Sequence, residues 1–511
     1  MPVQHYLPDI PKGMVMRISV EPSAAASDGF TARAATAAPA VIAPFSTNGW
    51  DTVFVITLPD VNNAIAAQGS SPSTWSGMIP GGLFNPEINA TGSFGTWSLT
   101  TGGSGAIIRM HIPFTANVVS GGNQINVQGG TAYIEVKLAY LPQPSSGPTT
   151  PNNLMVRTDD GTVDDPTVTV SAVTYTTPSI PNPSLDNVLQ QLLQTWFNNN
   201  LATFAHVFAT VDVGVDEGAG DFAWLCPTTT SYAYLDNADI IQAVLGVLCM
   251  TENRSSQGAT QEISPGAIPA GARSSFNISL ERVLTKMVMP GLPLEFGNAP
   301  VGTFVLSSDG TQIRASQDFN LDSVEVAASS YTPTVTHFSI TFENGQLVTD
   351  ISVHTPISPG IDAYFTGTYY NTISLATKTD GTQSLTWSQT QDPVTNSWST
   401  VADWVQVTEI IASVITAVVG AAVGILESTI ERVVVKVLVA LLVGGVVGAI
   451  VQTLEMIPEW MANAVPGPAP SVSALVDGAT KPLRWADSKD FQITTAALNG
   501  GLQLGGNPFT S

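Results

Sequence analysis

Five histidines, two cysteines and two runs of carboxylates are the side chains in this 511-residue sequence that could bind a metal or move a proton. His5, His111, His206, His337 and His354 show no metal-ligand spacing: none forms His-x-x-x-His, and neither Cys226 nor Cys249 sits in Cys-x-x-Cys. His206 lies between aromatic residues in Phe204-Ala205-His206-Val207-Phe208, the context of a packed or rim imidazole rather than a ligand. The two cysteines stand in apolar runs, Trp224-Leu225-Cys226 and Val247-Leu248-Cys249, and are expected as buried thiols rather than a disulfide. Asp159-Asp160 with Asp164-Asp165, and Asp212, Asp216, Glu217 and Asp221, lack the order of a calcium loop and are expected as solvated carboxylates. No nucleophile elbow or phosphate loop of known spacing occurs, and Gly102-Gly103-Ser104-Gly105 is expected as a turn between strands. No catalytic residue, cofactor or metal is therefore expected, and the protein is not expected to be an enzyme.

What remains is apolar surface. One stripe runs through Leu185, Val188, Leu189, Leu192, Leu193, Trp196 and Phe197 at helical spacing behind Ser184, which is expected to cap the helix. The helix is expected to bend or restart at Asn198-Asn199-Asn200 and to continue through Leu201, Phe204, Val207 and Phe208. Leu189, Leu193, Trp196, Phe197, Phe204 and Phe208 would line a lipid groove, although ordinary core packing against a sheet writes the same stripe.

A second apolar stretch, Val405 to Met461, holds the runs Ile410–Leu426 and Val433–Val451, each near the length needed to cross a bilayer. Gly420/Gly424 and Gly444/Gly448 are Gly-x-x-x-Gly pairs that let helix backbones approach closely. A helical hairpin is expected, with Ile410, Val414, Val418, Gly420 and Gly424 on one arm and Val437, Leu441, Gly444 and Gly448 on the other. Three readings stand: a buried packing element, a membrane-inserting hairpin, or an interface for assembly. Lys436 and the connector Glu427/Glu431/Arg432 favour protein burial or partner coverage over insertion.

The elements that must position these stripes are mostly strands. Asp51 to Leu58 reads as a strand running into a short helix through Ile65, with Pro59 near its entrance. Ser93–Thr100, Gly105–Thr115 and Thr131–Leu141 follow as strands. Asp309-Gly310, Asn344-Gly345 and Asp380-Gly381 mark hairpins, and Asp160-Gly161 a turn. Phe338, Ile340 and Phe342 alternate with His337, Ser339 and Thr341, and Leu347, Ile351 and Val353 return, so one face is expected apolar and the other wet. The expected organisation is an extended leader (1–45), a first β region (46–180), a helix plus second β region (181–400), the apolar hairpin (401–465), the Pro466–Pro470 linker, and a C-terminal segment (480–511) that returns to the body.

Composition bounds the partners. With 40 acidic against 17 basic residues the formal net charge is −23, which opposes contact with nucleic acid and with anionic headgroups. The start of the chain shows no basic region followed by an apolar one, so no signal peptide is visible; synthesis in the cytoplasm, with any release by a non-classical route, is the expectation.

Four blocks carry a resemblance: Gly49-Trp50-Asp51-Thr52-Val53; Trp224-Leu225-Cys226-Pro227-Thr228 with Ser231-Tyr232-Ala233-Tyr234; Met287-Val288-Met289-Pro290; and Arg484-Trp485-Ala486-Asp487-Ser488, followed by Leu502-Gln503-Leu504-Gly505-Gly506. In this order the sequence resembles the clostridial tubular lipid-binding (TULIP) type proteins, the forty-seven-kilodalton and orf-X proteins of botulinum neurotoxin gene clusters. The resemblance implies an α+β, β-rich fold in which a long helix is wrapped by strongly curved antiparallel sheets. It further implies an accessory role in a toxin system, with a lipid or other apolar ligand, or a neighbouring toxin-cluster protein, as partner.

Overall fold

The structure, a computed structural model, describes residues 16–17, 44–83, 85–143, 150–159, 161–162, 165–180, 182–214, 224–326, 329–377, 383–403, 405, 412–422, 483–485 and 491–508. The chain forms two compact units. One comprises residues 1–44, 280–472 and 497–502, the other residues 45–279, 473–496 and 503–511. The main division thus falls at Ser279/Leu280 rather than near residue 180, and the expected lipid helix belongs with the first β region.

In the unit that contains residues 280–472, an eight-stranded sheet runs in the order Met16–Arg17, Gln383–Val401, Ile361–Thr377, Gln346–Ser358, Thr334–Glu343, Gln312–Ala315, Phe304–Leu306, with Phe319–Asn320 beside Thr334–Glu343. Turn chemistry sets the register. Asn344 and Gly345 both take positive φ (51° and 79°), the conformation a two-residue hairpin turn demands, so Glu343 faces Gln346 and Phe338 faces Ile351. Asp309-Gly310 lies in the loop between Phe304–Leu306 and Gln312–Ala315, where Ser307 and Thr311 bond the Asp309 carboxylate and hold its pKa below the usual value. Asp380-Gly381 lies outside the described residues, although the strands on either side pair antiparallel. The expected alternation holds for Phe338, Ile340, Leu347, Ile351 and Val353, all buried. It fails beside the turn, where Ser339 and Val348 of the other face are buried too and Phe342 is only half-buried. Within the expected leader, Met16–Arg17 forms an edge strand against Trp398 and Ser399.

The other unit carries two large sheets beside a two-stranded pairing of Gly161–Thr162 with Asp165–Pro166. A nine-stranded one runs Leu483–Trp485, Ala209–Val213, Thr150–Val156, Asn123–Pro142, Ile107–Ser120, Ile88–Ser93, Thr74–Ile79, with Val168–Thr174 and Ser98–Leu99 paired alongside. The six-stranded one runs Pro227–Leu235, Val244–Thr251, Thr52–Thr57, Ser274–Ser279, Gly501–Asn507, Gln492–Leu498. Thr52–Thr57 is central and buried at every position, which explains its unbroken apolar run. The strand expected over Ser93–Thr100 is only Ser98–Leu99; the pairing strand lies earlier, at Ile88–Ser93. Gly102–Gly105 is a turn region, with Ser104 and Ile107 exchanging backbone hydrogen bonds.

Helix α1 (Leu58–Gln68) has Pro59 in its first turn and Gly69 in the left-handed conformation at its end. Helix α2 (Pro183–Asn199) begins one residue before the expected cap. Asn182 caps it, its Oδ1 accepting from the N–H of Ser184 (3.1 Å) and Leu185 (3.3 Å), while Pro183 takes the first helical position. The helix does not restart. Leu201–Thr203 is one 3₁₀ turn, residues 204–208 are irregular, and Ala209–Val213 is a strand, so Phe204 and Phe208 approach from loop rather than helix.

Candidate functional site

Helix α2 lies over the nine-stranded sheet's unit and is fastened by its polar side chains. Gln194 Oε1 accepts from the Val170 N–H (3.1 Å); Asn198 accepts from the Val168 N–H (3.1 Å) and donates to the Val168 carbonyl (2.7 Å). These bonds satisfy the outer backbone edge of Val168–Thr174. Across the helix, Leu192 packs where a Cβ on Gly77 would come within 3.2 Å. The apolar stripe is thereby turned inward: Leu189, Leu193 and Phe197 are sealed from solvent, Phe204 and Phe208 are buried, and Trp196 is half-buried.

An aromatic cluster fills the space beneath them. Phe94 stacks on Phe197 (centroids 5.7 Å, 21°) and meets Trp196 at 5.0 Å; Trp97 stands edge-on to Phe197 at 5.9 Å and touches Phe204 at 4.6 Å. Phe94 and Trp97 were not singled out by periodicity, because both flank the short Ser98–Leu99 strand; the sequence signal was the pair of large rings in Phe94-Gly95-Thr96-Trp97. Beside the cluster is a cavity of about 10 Å³, lined by Ile65, Trp97, Met110, Phe204, His206 and Phe208 among others. That volume holds about one water molecule, whereas drug-sized ligands take hundreds of Å³. His206 is packed there, its ring perpendicular to Phe208 at 4.7 Å and its Nδ1 3.4 Å from Ser70 Oγ.

Of the second apolar stretch, Val405 and residues 412–422 are described, and the latter are helical. Ile415, Val418, Val419 and Ala422 are buried, and Ile415 and Val419 cluster with Ile361 and Ala363 of the eight-stranded sheet. Val414 and Gly420 are half-buried. Ile410, Gly424, Val437, Leu441, Gly444 and Gly448 lie outside the described residues. Among the described residues no helix is long and apolar enough to cross a membrane, and no three His, Cys, Asp or Glu side chains converge on a common point.

Several residues of the sequence blocks that carried the resemblance prove to be fasteners of the scaffold. Trp50 Nε1 donates to the Thr260 carbonyl (2.8 Å) and Asn48 Nδ2 to that of Glu262 (3.0 Å), while a Cβ on Gly49 would meet Ala259 Cα at 3.0 Å. Asp51 Oδ2 accepts from both the N–H and the hydroxyl of Thr251 (2.9 Å each), and its Oδ1 pairs with Arg254 (3.0 Å). Tyr232 donates to the Ala106 carbonyl (2.6 Å) and accepts from the Leu138 N–H (2.8 Å); Tyr234 donates to the Thr100 carbonyl (2.7 Å). Burial raises the pKa of both phenols, as it does for Tyr140 and the Cys249 thiol, neither cysteine being in a disulfide. Trp485 packs on Phe54 at 5.1 Å, and Gln503 donates to the Gly266 carbonyl (3.1 Å) and Asn277 Oδ1 (3.0 Å).

The family described as "Protein OrfX2/OrfX3/P47" matches residues 47–506. The chain belongs to this OrfX-like family. Its curated OrfX-like relatives include Protein OrfX3 of Paraclostridium bifermentans, 27% identical with 90% of this chain and 98% of that protein covered, and Protein OrfX3 of Clostridium botulinum (strain Kyoto / Type A2), 25% identical with the same coverage. Among solved structures, P47 from Clostridium botulinum A2 superposes with a TM-score of 0.61 at 17% identity over 91% of this chain and 98% of P47. P47 of Clostridium botulinum E1 gives 0.57 at 16% identity over 90% and 100%. The OrfX-like fold is thus shared along nearly the full length.

Proposed function

We propose that this OrfX-like protein is a non-enzymatic accessory component of a bacterial toxin system, working by surface contact with a partner protein encoded near it rather than by enclosing a lipid. One observation carries the choice: the apolar stripe of α2 is already occupied by the protein's own rings, with Phe197 fully buried between Phe94, Trp97 and Phe204 and a neighbouring cavity of only about 10 Å³. Among the described residues, the stripe packs against the chain's own rings in the space that an acyl chain would need there. The net charge of −23 directs the partner away from nucleic acid and towards neutral or basic surfaces.

The experiment is co-expression with the proteins encoded beside it, followed by size-exclusion and native mass spectrometry of the intact chain. A stoichiometric protein complex and no co-purifying lipid are expected. Stoichiometric lipid on the purified chain, with no complex formed, would overturn the proposal in favour of the lipid-carrier reading, which the apolar stripe of α2 motivates.

A further inference from the structure

At one end of the nine-stranded sheet two hairpins finish side by side. Thr74–Ile79 and Ile88–Ser93 are joined by residues 80–87, and Ile107–Ser120 and Asn123–Pro142 by Gly121-Gly122. The two tips touch, since a Cβ on Gly121 would stand 3.4 Å from Pro86 Cγ. The first tip is a closed turn in which the Gly82 N–H donates to the Asn85 carbonyl (2.9 Å), with Leu83 on its bend.

Large apolar side chains are displayed here without cover: Leu83 is 97% exposed, Met78 52%, Val119 38% and Ile125 36%. Register places them around the tip rather than on one plane. Met78 faces Asn89 and Asn89 faces Val119, so Met78 and Val119 share one sheet face. Ile125 pairs with Val118 in the next row and belongs to the opposite face, while Leu83 sits at the apex. The region is also nearly free of charge in a chain whose net charge is −23. Residues 112–134 contain no Asp, Glu, Lys, Arg or His, and residues 71–94 only Glu87, which accepts from Asn89 Nδ2 (2.6 Å). The flanking polar groups are neutral amides and hydroxyls, Asn85, Asn89, Ser120 and Gln124 among them.

From this we infer that the paired tips are a membrane-docking point that seats in the interface of a neutral, zwitterionic phospholipid bilayer. A rigid protein partner covers one face, whereas apolar side chains on both faces and the apex of a protruding tip are buried together only by a medium that closes around them. Amides and hydroxyls at the rim suit the headgroup layer, and with Glu87 the one charged side chain of residues 71–94 and 112–134 the cost of entry stays low. The acidic remainder of the chain sets the lipid preference, because anionic headgroups repel it.

Flotation of the full chain with pure phosphatidylcholine vesicles tests this, alongside Leu83→Asp/Met78→Asp, whose exposed sites leave folding intact as checked by circular dichroism. Expected are co-flotation of the parent, a loss of at least about tenfold in the double variant, weaker flotation as phosphatidylserine is added, and a blue-shifted emission from Leu83→Trp only with vesicles. Absence of parent flotation, flotation undiminished in the double variant, or flotation that requires phosphatidylserine would each overturn the proposal. So would a double variant that still floats but no longer forms a complex with a neighbour-encoded protein, which would make the tips a protein interface.

Discussion

Asp51 is 2% exposed, and its two oxygens tie the start of a central strand to the end of the neighbouring one, through Thr251, and to Arg254 just beyond it. Asp51→Ala strands the Thr251 N–H and hydroxyl and removes the Arg254 partner, and a loss of about 3 kcal/mol in urea unfolding is expected. The buried acids act at the other end of the pH scale. Burial raises the Cys249 thiol above its ordinary 9.0 and the Tyr140 phenol above its ordinary 10.0. A group that holds its proton more tightly when folded contributes stability that is whole below its unfolded pKa and is lost as the pH climbs towards the folded value. The melting temperature is therefore expected to begin falling once the pH passes 9.0 to 10.0, and Tyr140→Phe to flatten that decline; an unchanged slope in the variant would refute it. At this scale the sequence was informative about Cys226 and Cys249, whose apolar neighbours pointed to buried thiols, as found. It was silent about Asp51, because nothing local distinguishes a buried ion pair from a solvated carboxylate.

Helix α2 shows how far a single element can be read. Its stripe from Leu185 to Phe197 was legible because 3.6-residue periodicity is a local property. Its ends were not, since Asn182 and Ser184 are both good caps and Pro183 at the first helical position favours the earlier one. Past Asn199 the spacing of Leu201, Phe204 and Phe208 mimics a helix, yet the Asn200 side chain donates to the Trp196 carbonyl (2.7 Å) and the chain leaves into a strand. Asn182→Ala is expected to cost about 1 kcal/mol. Phe197→Ala is expected to cost about 4 kcal/mol and to open a dry apolar cavity. Benzene or a short alkane should then raise the melting temperature of the variant and leave the parent unchanged. A parent stabilised equally would mean that the stripe is already accessible to ligand.

Across the molecule, segments near the end of the sequence join the unit built from residues 45–279. Residues 473–496 and 503–511 cluster with residues 45–279, where Trp485 covers Phe54 and Leu504 and Gln503 are sealed from solvent. A chain ending at residue 472 is accordingly expected to lose the near-ultraviolet circular dichroism of that unit and to aggregate, while a truncation that left those signals intact would show the closing strands to be dispensable. The sequence by itself determined the β-rich class, the Asn344-Gly345 hairpin, the excess of negative charge and the family-marking blocks, because periodicity, turn chemistry, composition and short-range order are written in neighbouring residues. Only the tertiary structure decided that the stripe of α2 is filled by Phe94 and Trp97 and that Leu83 and Met78 stand uncovered. Filling and exposure are matters of volume, set by residues about a hundred positions apart, and no local pattern encodes which apolar surface finds its partner within the chain.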